Sequence, residues 1–220
     1  MGIDEAKDGR DGLERKDQLL NINASRCFAL LVFLVAVGGG ECLGATERYN
    51  VDADHSIVGF SVAHMVISKT TGRFTDYTGF IEMDPDGKTV RTIEAVIKTV
   101  SVETNHQKRD THLRSPDFFN VEKYPTMTYK MTSYEMQGDQ YVANGNLTLL
   151  GVTRPIVLTG TFNGVLPKDP MGNTRAGFSA EGKINRKDFG MNWNKALDNG
   201  GLVVGNDVAI RLEIECIKQK

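Results

Sequence analysis

Val208-Ala209-Ile210-Arg211-Leu212-Glu213-Ile214-Glu215-Cys216 alternates an apolar residue with a small or charged one at every step. Such a period of two describes a β-strand with one face in an apolar interior and the other in water. The same alternation recurs upstream. Phe178, Ala180, Gly182 and Ile184 alternate with Ser179, Glu181, Lys183 and Asn185, and Ile93, Ala95 and Ile97 with Glu94, Val96 and Lys98. Val58, Phe60, Val62 and His64 alternate with Ile57, Gly59, Ser61 and Ala63, and Met127, Tyr129 and Met131 with Thr128 and Lys130. Eight segments are expected as strands: 49–64, 74–83, 91–102, 125–134, 140–149, 154–165, 175–185 and 207–217. Asp84-Pro85-Asp86-Gly87 and Gln137-Gly138-Asp139 suit tight hairpin turns, and Pro167 to Asn173 suits a longer loop.

One segment breaks the pattern. From Thr104 the chain reads T-N-H-Q-K-R-D-T-H-L-R-S-P-D-F-F to Phe119. Thr104 or Asn105 is suited to cap a short helix running to about Arg114, and Ser115-Pro116 to open a further turn with Ser115 as its cap. The order is therefore three strands, a short helical insert and five strands. Eight antiparallel strands close into a barrel wide enough for packed side chains or one small ligand. Ala95, Gly160, Gly164, Ala176, Ala180 and Gly182 fall among the inward positions. Two readings of them stand open: small residues leave the lumen hollow, or they relieve crowding where the sheet curves. Periodicity alone does not say which face is inside. A membrane barrel turns its apolar face outward, but strand ends here lack aromatic girdles and the chain closes on Lys218-Gln219-Lys220.

The bulk properties fit one domain behind a targeting segment. The 220 residues are 40% hydrophobic and 25% charged, an ordinary globular balance. Residues 46–220 hold 21 cationic and 21 acidic side chains with no basic run, which gives nucleic acid no footing. Residues 1–45 read as a signal-peptide region. Arg26 precedes eleven unbroken apolar residues, Cys27 to Val37, and small residues lead to a cleavage point near Ala45. The acidic stretch before Arg26 is atypical, and a start near Leu20 would leave an ordinary signal peptide. The expected location is the periplasm or the exterior. Cys42 follows Glu41, a poor match for lipid attachment, so Cys216 is the one cysteine expected in the mature chain, as a small buried hydrophobe.

The insert also carries a resemblance. Val51-Asp52, His55-Ser56, Phe60-Ser61-Val62, His64-Met65 and Gly72-Arg73-Phe74 are followed by Thr104-Asn105-His106, Arg109-Asp110 and His112 to Phe119. Lys123-Tyr124-Pro125, Leu147-Thr148-Leu149, Gly151 to Pro155, Arg175 to Phe178, Glu181 to Ile184 and Lys187 to Gly190 complete the set. Across residues 47–220 the chain resembles the YceI family of periplasmic polyisoprenoid-binding proteins. The resemblance implies an all-β, eight-stranded lipocalin-like barrel. It also implies a long isoprenoid lipid in the interior, a polyprenyl diphosphate or an isoprenoid quinone, held for carriage or storage, with transient membrane contact for exchange. No further cofactor is implied, and a homodimer is left open.

For such a tail the candidate contacts are Val58, Phe60, Val62, Ile97, Met127, Tyr129, Met131, Leu149, Phe162, Phe178, Ala180, Ile184, Ile210 and Leu212, which serve equally as core. Phe118 and Phe119 are placed to cap a barrel end. Trp193 either lines the opening or packs outside. Arg109, Asp110, His112 and Arg114 have two uses: to hold a head group at the mouth, or to pin the insert through ion pairs of Arg109 or Arg114 with Asp110 or Asp117. His106, His112 and Asp110 lack the spacing of a helical metal pair, and no metal is expected. His55 and His64 read as hydrogen-bonded structural residues. Hydrolase and phosphate-loop motifs are missing, so binding is favoured over catalysis. A lumen-sited hydrolase and an unliganded stress-response or interaction module are the alternatives.

Overall fold

The computed structural model describes residues 46–84, 89–198 and 201–220. Eleven strand segments make up one sheet: β1 (Glu47–Val51), β2 (Ile57–His64), β3 (Ser68–Phe74), β4 (Tyr77–Met83), β5 (Val90–Lys98), β6 (Val102–Glu103), β7 (Thr126–Gln137), β8 (Gln140–Leu149), β9 (Val152–Leu166), β10 (Arg175–Asn185) and β11 (Val204–Lys218). They form eight barrel strands, because the first three are each bent once. β1 and β2 are one strand interrupted by a turn at Ala53–His55, β3 and β4 one interrupted at Thr75-Asp76, and β5 and β6 one interrupted at Thr99–Ser101. All neighbours are antiparallel, and β11 closes on β2 with Leu212 beside Val58 and on β1 with Cys216 beside Val51. That pairing closes the sheet, while β6 pairs with β3 alone and leads into the insert.

The bends lie level with one another and bond across the sheet. Asp52 N–H donates to Glu215 O at 2.8 Å, Tyr77 Oη to Ser56 O at 2.7 Å, Thr75 N–H to Ser101 O at 3.2 Å and Lys98 N–H to Asp76 O at 2.9 Å. The second strand begins earlier than its alternation predicts, at Ser68 rather than residue 74. Ser68-Lys69-Thr70-Thr71-Gly72-Arg73 carries no apolar face, because the ring of Phe60 covers Gly72: a Cβ there would meet Phe60 Cζ at 2.4 Å.

The insert α1 spans Gln107–Arg114, and its cap differs from expectation. His106 is the N-cap, its Nδ1 accepting from Arg109 N–H at 3.3 Å, while Asn105 takes a positive φ of 58°. Thr104 is instead bound to Asp110 inside the insert. Ser115 caps the next turn, accepting from Asp117 N–H through Oγ at 3.3 Å.

Near the level of the bends, at the other end from α1, Arg175 is knotted to three carboxylates. Nη1 reaches Asp52 at 2.7 Å and Glu215 at 2.5 Å, and Nε reaches Asp169 at 2.5 Å. Burial alone would raise the Asp52 carboxyl, but hydrogen bonds from Arg175, His55 and the Asp54 N–H together hold it below its usual range. Asp169 is held well below its usual range, first by Arg175 and then by the Asn173 and Met171 N–H groups. Carboxyls lowered in the folded state stabilise it above the ordinary carboxylate pKa of about 4 and lose that contribution as pH falls through the lowered values. Arg175→Met is therefore expected to lower Tm by several degrees at pH 7, with the gap to wild type narrowing toward pH 3; calorimetry across pH checks it, and equal Tm at pH 7 would contradict the knot.

Candidate functional site: an apolar lumen

The two faces of the barrel resolve as apolar inside, polar outside. Along β8, Tyr141, Ala143, Leu147 and Leu149 are buried, while β11 turns Arg211 and Glu213 outward. The interior holds a cavity of about 190 Å3 walled almost wholly by apolar side chains. Val58, Phe60, Ile184, Ile210, Leu212 and Ile214 of β2, β10 and β11 line it and stay only half-buried although they point inward, as do Val51 of β1 and Ile93 and Ala95 of β5. The wall with Met127, Tyr129, Leu147, Ile156 and Leu158 lines it too, and there the side chains are buried.

The inward glycines do not open this space. The Tyr129 ring lies over Gly145, where a Cβ would come within 2.4 Å, Leu158 lies over Gly182, and a Cβ on Gly160 would sit 1.9 Å from Ser179 O. Relief of crowding is thus the reading that fits Gly160 and Gly182. Gly164 has a positive φ of 109° near the bulge in β9 and β10, and Ala176 is buried away from the cavity. Only Ala95 and Ala180 of the small set border the void.

Two phenols stand in the wall and both are bonded. Tyr141 Oη donates to Ser179 O at 3.1 Å, and Tyr129 Oη to Ala143 O at 3.4 Å. Burial pushes the Tyr129 hydroxyl up to about 12 and raises Tyr141, so both stay neutral near pH 7. Glu94 touches the cavity rim, but its carboxylate pairs outward with Lys130 Nζ at 2.9 Å. A wall of this kind offers an apolar guest dispersion and desolvation with nothing to solvate a charge.

Of the residues expected to contact a tail, eleven line the cavity. Val62, Met131 and Phe162 do not: Val62 lies beyond the void toward the α1 end, Met131 packs at the edge of the core, and Phe162 sits behind Phe178, ring centroids 5.1 Å apart. Phe118, Phe119 and Trp193 are also away from the void, at the α1 end. Phe119 meets Phe74 edge-on at 5.4 Å, and Phe118, Trp193 and His112 form a ring cluster with centroids 4.8–5.2 Å apart. Phe74, Ile81, Ile93, Tyr141 and Ile156 line the cavity without having been singled out, although the same alternation places them there.

The four polar residues of the insert are occupied locally. Asp110 is buried and accepts from Thr104 N–H at 2.9 Å and from Thr104 Oγ1. Arg109 donates from Nε and Nη2 to Thr104 Oγ1 and O, each at 2.7 Å. Arg114 donates to Val100 O and Val102 O, each at 2.7 Å, and His112 Nε2 lies 2.8 Å from Asp117 Oδ2. Pinning of the insert is what these contacts accomplish, through carbonyls and Thr104 rather than through ion pairs of the arginines. His106 and Asp110 make no metal cluster; the one group among the described residues with metal-like proximity is Asp52, His55 and Glu215, which Arg175 already bridges. Cys216 is fully buried, and burial raises its thiol to about 12.

Fold and site together define a closed eight-stranded β-barrel with an apolar lumen and a helical insert over one end. Residues 49–216 match the YceI-like domain, and the chain belongs to the YceI family. It is 37% identical to protein YceI of Salmonella agona over 88% of this chain and 95% of that one. Among solved structures it is similar to the YCEI protein of Campylobacter jejuni, at 34% identity and a TM-score of 0.61 over 72% of this chain and 90% of that one. It shares its fold with a polyisoprenoid binding domain from Saccharophagus degradans, at 17% identity and a TM-score of 0.55 over 78% and 98% of the two chains.

Removing the Asp110 carboxylate leaves the Thr104 N–H and hydroxyl without their buried acceptor. Asp110→Ala is expected to cost about 1–3 kcal/mol in urea unfolding, and a change near zero would show that the insert does not depend on it.

Proposed function

We propose that the protein binds the tail of an isoprenoid lipid in the barrel lumen, carries or stores it after export to the periplasm, and performs no chemistry on it. The observation that carries this reading is the apolar void bounded by half-buried inward residues of β2, β10 and β11. Family membership and the fold shared with a polyisoprenoid binding domain support it. An isoprenoid tail has no hydrogen-bonding atoms, so it suits a wall without free polar groups. Several hundred Å2 of buried tail is worth on the order of 10 kcal/mol gross at about 25 cal/mol per Å2, reduced by the ordering of a flexible chain.

Size sets a condition on this reading. An apolar cavity of about 150 Å3 accommodates benzene, so 190 Å3 takes only a short part of a long tail. Loading a full tail requires the lumen to widen, and the half-buried β2, β10 and β11 side is where the packing yields most readily.

Loading from a membrane has a suitable contact at the α1 end. The β2–β3 turn is Met65-Val66-Ile67, with Val66 79% and Ile67 88% exposed. Met65 and Val66 take φ of 51° and 67°, where hairpin turns favour Asn and Gly. A solvent-facing turn gains nothing from Met65 and the β-branched Val66 in that conformation or from an exposed Ile67, whereas a lipid surface would bury them.

The first test is mass spectrometry of a solvent extract of the purified protein, beside a native spectrum that also reads the copy number. An isoprenoid species near one per barrel is expected; a bare protein whose lumen accepts no supplied isoprenoid would turn the reading toward an unliganded interaction module, and hydrolysed fragments toward a lumen hydrolase. Phe178→Asp places a carboxylate in the lumen wall and is expected to abolish retention. Because that variant risks the fold, Ala95→Phe, which fills the lumen with an apolar ring, is expected to cut retention while far-UV circular dichroism stays unchanged. Val66→Ser with Ile67→Ser is expected to slow lipid uptake from vesicles severalfold at unchanged Tm.

A further inference from the structure

Arg186 opens the turn that follows β10, two residues past Ile184, and Asn206 lies in β11 two residues before Val208; Ile184 and Val208 line the void, and Arg186 and Asn206 lie just beyond its lining. Asn185 beside Asp207 is the last pair of the β10–β11 ladder, and Arg186 and Asn206 are the next residues on either side of it, held close by the bond from Arg186 to Gly205 O. Arg186 is 2% exposed. Its Nε donates to Gly205 O and its Nη1 to Met191 O and Trp193 O, each at 2.8 Å, which ties the loop after β10 to the start of β11. No carboxylate among the described residues pairs with it, and burial pulls the guanidinium below its ordinary value. One nitrogen, Nη2, is buried without a partner, and so is one oxygen, Asn206 Oδ1. These are the two buried side-chain atoms without a partner among the described residues, and they flank the end of the β10–β11 ladder, two residues beyond the lumen-lining Ile184 and Val208.

Buried polar atoms are ordinarily satisfied, and a buried cation most of all. One orphan donor beside one orphan acceptor is matched by a group that both accepts and donates. A hydroxyl does so. A diphosphate brings many acceptor oxygens to a single free donor and sets anionic oxygens against Asn206 Oδ1. Resting on the lumen reading above, we propose that Arg186 and Asn206 anchor the hydroxyl head group of the lumen's ligand, an isoprenoid alcohol or the phenolic hydroxyl of a reduced isoprenoid quinone. The oxygen accepts from Arg186 Nη2 and its proton is donated to Asn206 Oδ1. The tail then runs from the α1 end past Ile184 and Val208 into the void.

The test uses protein purified from cells expressing the full chain, stripped of lipid, with Trp193 as reporter. It is the single tryptophan, and its carbonyl is held by Arg186. Fluorescence titrations compare geranylgeraniol, the same skeleton with hydrogen in place of the hydroxyl, and geranylgeranyl diphosphate. In Arg186→Met the alcohol is expected to lose about tenfold in affinity, the scale of a hydrogen bond to a charged group, while the hydrocarbon changes less than about twofold by the same argument. Should that variant fail to fold, Asn206→Asp supplies a carboxylate to the free nitrogen. It is expected to raise Tm and to cost the alcohol, but not the hydrocarbon, a comparable factor. Equal effects on alcohol and hydrocarbon would mean that the two side chains are bridged by water only, and would overturn the anchor while the lumen reading stands. Tightest binding by the diphosphate, lost in Arg186→Met, would overturn the hydroxyl assignment in favour of an anion. If no probe binds the wild type, the lumen reading falls and the anchor with it.

Discussion

The rest of the structure depends on closure of the last strand onto the first. β11 pairs with β10 along one edge and with both β2 and β1 along the other. β11 runs unbroken from Val204 to Lys218, while the strand it closes on breaks at Asp52 to Ser56 and bends. Ser56 exchanges hydrogen bonds with Glu215 across that break, Oγ to Glu215 O at 3.2 Å and Glu215 N–H to Oγ at 2.9 Å. The second and third barrel strands bend at matching levels, since a kink in one strand of a closed sheet misaligns the next unless it bends too. Arg175 sits where the first, seventh and eighth barrel strands meet and neutralises the carboxylates that the bend gathers.

Closure also decides the lumen. A barrel of eight strands has little spare interior, and here large rings spend most of it. Phe60, Tyr129 and Tyr141 lie across Gly72, Gly145 and Gly160, so small and large residues interlock. What remains lies between the more buried wall of β7, β8 and β9 and a looser one that includes Val58 of β2, Ile184 of β10 and Val208 to Ile214 of β11. The asymmetry follows from side chains: the looser wall contributes Val58, Ile184, Val208, Ile210 and Leu212, branched aliphatics too short to cross the barrel.

Much of the fold was legible because a half-buried strand writes its burial into every second residue. β5, β10 and β11 announce themselves this way. β3 did not, since its inward positions Thr70 and Gly72 owe their identity to the Phe60 ring on a neighbouring strand, a contact that no local pattern encodes. The helix was visible but its cap was not, because Thr104 is drawn to Asp110 six residues on and His106 takes the role left over. The lumen residues were legible as a face and not as a depth. Phe162 and Phe178 share that face in sequence, yet Phe178 borders the void and Phe162 stands behind it.

Two arginines show why charge alone does not mark a site. Both stand at the ends of β10. Arg175 has three carboxylates around it and its guanidinium is raised above its ordinary value, so the group is spent on the fold. Arg186 is more deeply buried yet holds only carbonyl oxygens, and it keeps one nitrogen unbonded. Carbonyls position a guanidinium without neutralising it. The arginines of the insert, Arg109 and Arg114, also hold carbonyls, but they lie nearer water, which solvates whatever the protein leaves free. Burial with an unmet bond, rather than positive charge or place in a recognisable motif, is what separates Arg186 from the other three.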